Sequence, residues 1–175
     1  MRRLILALVL FSTVATLDSC KRKKKQVDYI DEGGGQLLST VQTRNPGTAI
    51  QLVKGFHDIE NGAWRWTMGK FTVILRPPEQ AAQKGATLKF NFVLPEPILA
   101  KLQAITISAA VNGKPLEAAT YDKAGPQEYK KSVPATSLTG EVITVDFTLD
   151  KFVPAGAMDL RELGVIAESI GLEVQ

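Results

Sequence analysis

GFHDIENGAWRWTMGKFTVIL, residues 55–75, holds the chain's only histidine, His57, and both of its tryptophans, Trp64 and Trp66. It also ends in the run that decides the fold. Phe71, Val73 and Leu75 alternate with Thr72 and Ile74, the period of a strand with one side in a core and the other nearer water. The same alternation returns in Leu88, Phe90, Phe92 and Leu94, in Ile105, Ile107, Ala109 and Val111, and in Ile143, Val145, Phe147 and Leu149. Turn residues separate these runs: Arg76-Pro77-Pro78-Glu79, Lys84-Gly85, Asn112-Gly113-Lys114, Lys123-Ala124-Gly125-Pro126, Thr139-Gly140 and Pro154-Ala155-Gly156. Asn112-Gly113 is the strongest hairpin signal, because a two-residue turn needs positive φ at both central positions.

Strands are expected near 36–43, 48–54, 64–76, 86–94, 103–112, 115–121, 127–133, 141–149 and 163–174, with single helical turns at Glu96–Leu102 and Met158–Leu163. No long helical pattern intervenes. The expected fold class is all-β, an antiparallel two-sheet β-sandwich of jelly-roll-like form.

Upstream, Arg2 and Arg3 precede an apolar run from Leu4 to Val14, the layout of an export signal. The run is too short to span a bilayer, which takes about 20 apolar residues, and Asp18 interrupts its extension. Leu17-Asp18-Ser19-Cys20 resembles the lipobox of bacterial lipoproteins, in which the cysteine is lipidated and becomes the first mature residue. Cys20 has no second cysteine to pair with. Two features depart from the pattern: Asp18, and the cationic Lys21-Arg22-Lys23-Lys24-Lys25, which follows the apolar run directly and opposes translocation. Once exported, that run would lie close to anionic lipid. The resemblance implies a membrane-lipid anchor through Cys20 and Lys21–Lys25, at the outer membrane where a cell has two. The expected organisation is a signal over 1–19, a lipidated, basic and glycine-rich linker over 20–35, and one β-sandwich domain over 36–175.

Formal net charge is +3, but residues 1–25 carry seven of the 21 Lys+Arg and one of the 18 Asp+Glu. That leaves 14 against 17 in the remainder, so its net charge is −3 and no global field attracts a phosphate backbone. Nucleic acid is not an expected partner.

Gly55-Phe56-His57 with Glu60 and Gly62, then Trp64-Arg65-Trp66-Thr67, Val111-Asn112-Gly113 and Asp159-Leu160-Arg161-Glu162-Leu163-Gly164, resemble a bacterial β-sandwich accessory module fused to cell-surface glycosyltransferases. The resemblance runs from Gly55 to the C-terminus. It implies a jelly-roll-like sandwich that binds sugars or envelope partners.

In a strand, Trp64 and Trp66 share one face and Arg65 takes the other. On an inner face the indoles are core anchors, the reading favoured for paired aromatics; on an outer face they form a platform for a sugar ring, with Arg65 and Glu60 supplying hydrogen bonds. His57 alone lacks the partners of a zinc site or a serine triad. Asp58, Glu60 and Asn61 lack the ligand density of a calcium loop. No metal or other cofactor is expected. Asp159 and Arg161 read as a charge pair, with Glu60 or Glu162 as further carboxylate partners, locking the closing strand against the Trp64 segment. The candidate ligand-binding residues are therefore Trp64, Arg65, His57, Glu60 and Arg161, and the structural ones Trp66, Asp159, Asn112 and Gly113. The expectation is a non-catalytic envelope lipoprotein, a β-sandwich binding or scaffolding module whose first candidate ligand is glycan. An envelope-protein interaction module is the alternative and a two-carboxylate hydrolase the remote one.

Overall fold

Alternation gives each sheet one apolar face and drives the two sheets to pack on those faces. The computed structural model describes residues 36–175; the expected leader, Cys20, Lys21–Lys25 and the spacer lie outside the described residues. Among the described residues the strands are β1 (Thr40–Gln42), β2 (Leu52–Phe56), β3 (Arg65–Leu75), β4 (Ala86–Leu94), β5 (Ile105–Val111), β6 (Lys114–Pro115), β7 (Ala119–Tyr121), β8 (Gly125–Val133), β9 (Ile143–Leu149) and β10 (Ile166–Val174). Two short helices, α1 (Ala81–Lys84) and α2 (Glu96–Leu102), join them. Every pairing is antiparallel. In the front sheet β1 and the start of β3 share one edge of β10, followed by β4 and β8. In the back sheet β2, β3, β9 and β5 follow in order, with β6 and β7 on the far edge of β5. This is the expected two-sheet antiparallel sandwich.

β3 belongs to both layers. Arg65 and Trp66 pair with Ala167 and Ile166 of β10, whereas Lys70–Leu75 pair with β9. The ladder to β2 jumps at the same place, from Lys54 opposite Thr72 to Phe56 opposite Thr67. A strand that changes sheets makes such a corner. Gly69 sits there, and a Cβ on it would lie 2.2 Å from a ring carbon of Phe152.

Across the layers the core closes on aromatic rings. Phe71 and Phe147 are register partners in the back sheet, with rings 4.9 Å apart and 12° from parallel. Phe90 of the front sheet meets them at 5.4 and 5.1 Å. All three are buried, and each such ring removes a large apolar area from water. Tyr129 packs edge-on against Phe147 and donates its hydroxyl hydrogen bond to the Glu117 carbonyl at 2.9 Å; burial pushes its pKa up to about 12.

Asn112 and Gly113 take φ of 49° and 76° and form the expected tight turn between β5 and β6. The Asn112 amide also donates to the Ser137 carbonyl at 3.0 Å and accepts from the Thr144 N–H at 2.9 Å. α2 forms where a helical turn was expected. The turn expected at Met158–Leu163 does not form, because the Asp159 carboxylate takes the Arg161 backbone N–H at 2.9 Å and holds a bend instead. The strand expected over 48–54 starts only at Leu52. Pro46–Gln51 is a 3-10 turn capped by Asn45, whose side chain accepts from Gly47 N–H at 2.9 Å. The strand expected over 115–121 divides into β6 and β7.

Phe90→Ala empties the junction between the sheets and should lower unfolding free energy by about 3–5 kcal/mol, read by chemical denaturation.

Candidate functional site: a clamped hairpin and the cleft beside it

β2 and β3 are joined through a narrow hairpin whose tip is Asn61-Gly62-Ala63, closed by reciprocal backbone bonds between Glu60 and Trp64. Asn61 and Gly62 both have positive φ, 51° and 65°, which asparagine and glycine tolerate best. The hairpin thereby carries His57, Glu60, Trp64 and Arg65 to one end of the sandwich.

There the polar groups expected to meet a ligand are largely held by the protein itself. Arg161 reaches Glu60 Oε1 at 2.6 Å and Asp159 Oδ2 at 3.0 Å, joining the loop before β10 to the hairpin. The Arg161 guanidinium holds the Asp159 carboxyl down at about 2, well below the usual carboxylate range, while the two carboxylates raise Arg161. Arg161 is half-buried, so the pair fixes geometry more than it adds stability. Arg65 donates from Nε to the Thr43 carbonyl at 2.8 Å and from a terminal nitrogen to the His57 carbonyl at 2.9 Å. His57 Nε2 lies 2.6 Å from the Glu162 carbonyl, which only accepts, so that nitrogen carries the proton.

Trp64 and Trp66 share the parity of Met68, opposite to Phe71 and Val73, and both are half-buried. Trp66 packs on the rim of the core. The Trp64 indole nitrogen is buried and has no hydrogen-bond partner among the described residues. Asn112 and Gly113 lie apart from this cluster, in the β5–β6 turn.

Sequence reasoning missed two members of the clamp, Thr67 and Thr43, and gave Glu162 to Arg161, whereas Arg161 pairs with Glu60 and Asp159. Glu162 accepts from the Gly69 N–H at 2.7 Å and so supports the corner of β3. Thr67 accepts at its hydroxyl from Val165 N–H at 3.1 Å and at its carbonyl from Gly164 N–H at 2.7 Å. Thr43 donates its hydroxyl to the Ala167 carbonyl at 2.6 Å. Thr67 and Glu162 stood inside the quoted motifs, but their partners are backbone groups far away in sequence.

Sequence reasoning also missed a neighbouring cleft of about 310 Å³, lined by Gln42, Arg44, Ala63, Asn91, Glu168 and Ser169. It forms where β10 bulges between Ala167 and Ser169. A bulge leaves one residue outside the ladder and re-aims its side chain, and here that residue is Glu168. Thr43 fixes the bulge through its N–H to the Glu168 carbonyl at 3.0 Å. On the floor the Asn91 amide donates to Ser169 Oγ at 3.0 Å. On the rim the Gln42, Arg44 and Glu168 side chains are exposed and make no hydrogen bond or ion pair among the described residues. The cleft thus offers an amide, a guanidinium and a carboxylate from fixed backbone, together with the Asn91 amide carbonyl, which accepts no hydrogen bond among the described residues.

No protein-family model matches the chain, and no curated protein matches it. Among solved structures it is similar to the CBM36-1 domain of a multidomain xylanase from the hindgut metagenome of Trinervitermes trinervoides, at 11% identity and TM-score 0.41, covering 75% of this chain and 94% of that one. It is similar to a family 35 carbohydrate binding module from an environmental isolate, at 15% identity and TM-score 0.41, covering 81% and 88%. An exo-β-1,3-galactanase from Phanerochaete chrysosporium matches at 9% identity and TM-score 0.42, over 78% of this chain but 29% of that one.

The Asp159–Arg161 pair makes a pH prediction. A carboxyl held low stabilises the fold in full above the ordinary carboxylate range, and that contribution fades as pH falls toward about 2. By NMR titration, Arg161→Gln should return the Asp159 midpoint toward ~3.9.

Proposed function

We propose that this chain is an exported, lipid-anchored and non-catalytic module of the bacterial envelope that binds glycan at the cleft beside the clamped hairpin. The observation that carries the glycan reading is the exposed rim of Gln42, Arg44 and Glu168, unpaired among the described residues, above the Asn91–Ser169 floor. Sugars are recognised by a few convergent amides, carboxylates and guanidinium groups that are already in place before binding. The strands and the Thr43 bonds place these groups in advance, which keeps the ordering cost of binding low. In this reading Arg161, Glu60, Arg65 and His57 act as the clamp that holds the cleft's hairpin wall, and they are not ligand contacts. Leu17-Asp18-Ser19-Cys20 supports the anchor, with Lys21–Lys25 held at the lipid surface.

A second reading has its own observation. Leu160 is 93% exposed and Met158 49%, on the loop that Arg161 staples in place. An apolar tip held out rigidly is what a protein partner in an envelope assembly would grip.

On a glycan array, Glu168→Ala and Gln42→Ala should each weaken retention about tenfold or more, about 1.4 kcal/mol, while the thermal midpoint stays within a few degrees. If instead no glycan is retained and Leu160→Asp removes a co-purifying envelope protein, the second reading stands. For the anchor, cells fed radioactive fatty acid should label the wild type and not Cys20→Ser; equal labelling would refute lipidation there.

A further inference from the structure

Strand register places an amphipathic surface on the outer face of the front sheet, next to the cleft. Residues directly opposite in antiparallel strands point to the same side of the sheet. Trp66 stands opposite Ile166, Ile166 opposite Val93, and Val93 opposite Pro126. These four make one row across β3, β10, β4 and β8, on the face opposite the buried Phe90 and Phe92. Trp66, Ile166 and Val93 are half-buried and Pro126 is exposed. The adjacent row is polar: Gln42 opposite Ser169, Ser169 opposite Asn91, Asn91 opposite Glu128. The bulge at Ala167–Ser169 brings Ile166 and Ser169 onto the same face, because it absorbs the residue that would otherwise send one of them inward.

The two rows are complementary to the two characters of a sugar ring. Its C–H face is apolar and packs on indole and aliphatic surface, while its hydroxyls bond amides and hydroxyls at the edge. The polar row is uncharged at Gln42, Ser169 and Asn91 and ends on the exposed Glu128 carboxylate. In the row beyond, Lys89 is paired with Glu173 at 2.6 Å and stands opposite the exposed Lys130, so with Glu128 the two rows and Glu173 hold two cations and two carboxylates. That balance disfavours an anionic surface or polyanion as occupant and favours an uncharged polyhydroxylated chain. Three interstrand gaps span about 14 Å, more than a single ring requires.

We propose that this face is an extended binding groove in which a neutral oligosaccharide lies across β10 and β4, with its C–H faces on the Trp66–Ile166–Val93–Pro126 row and its hydroxyls on the Gln42–Ser169–Asn91 row. The cleft at Glu168 is one end of the groove. This inference rests on the glycan reading and narrows it from sugar binding in general to recognition of a neutral chain along its length.

The test titrates the full chain calorimetrically with mono- to hexasaccharides of neutral gluco-, xylo- and galacto- series and with an acidic uronate series of the same lengths. Affinity should rise about tenfold or more from mono- to tetrasaccharide in the responding series. Val93→Asp should remove that gain while leaving the weaker short-ligand binding at the cleft; Pro126→Asp, at an exposed edge position, should do the same should Val93→Asp fail to fold. Affinity that is flat with chain length, or a gain that survives both substitutions while Glu168→Ala still weakens binding, overturns the groove and leaves the glycan reading intact. Failure of every neutral and acidic glycan to bind overturns both, and preference for acidic chains overturns the neutral assignment.

Discussion

The contact between Phe71, Phe147 and Phe90 is the constraint on which the rest of the molecule depends. It fixes the back sheet to the front sheet at the strand that belongs to both, so β3 must leave one layer and enter the other over a few residues. The corner at Gly69 follows, since no side chain fits against Phe152 there. Glu162 and Thr67 then supply hydrogen bonds where the ladder is interrupted. A strand made to change sheets frees one edge of β10, and β1 occupies the rest of that edge, end to end with the start of β3. Gln42 and Trp66 thus become neighbours on one face although 24 positions separate them in sequence.

Two environments for charge result from this arrangement. In the clamp, Arg161 is saturated by Glu60 and Asp159, and Arg65 by two carbonyls, so these guanidinium groups position the backbone. At the cleft, Arg44 and Glu168 stay exposed on a backbone that Thr43 holds in place. Exposed groups on rigid backbone suit recognition, whereas saturated ones suit support.

Much of the fold was legible because its cause is local. The alternation in Leu88–Leu94 and Ile143–Leu149 and the Asn112-Gly113 turn each act within a few residues. The strand at 48–54 was misread because Asn45 and Pro46 start a tight turn whose bonding competes with the ladder, and the helical turn at Met158–Leu163 because the Asp159 side chain captures the N–H of Arg161 two residues on. The clamp was partly legible, since Glu60, Asp159 and Arg161 lay in the motifs that suggested a charge cluster. The cleft and the two rows were not. Gln42, Asn91, Val93, Ile166 and Ser169 become neighbours only through register, and the bulge that puts Ile166 and Ser169 on one face has no signal in the order of the residues.

The most direct test of this account is backbone-amide chemical-shift mapping by NMR while a neutral oligosaccharide is added. The account predicts shifts that saturate together at Gln42, Trp66, Asn91, Val93, Ile166 and Ser169, with the 154–162 loop and the back sheet unmoved. Saturating shifts centred on Met158–Leu160 or on the outer face of the back sheet, with the front face silent, would contradict it.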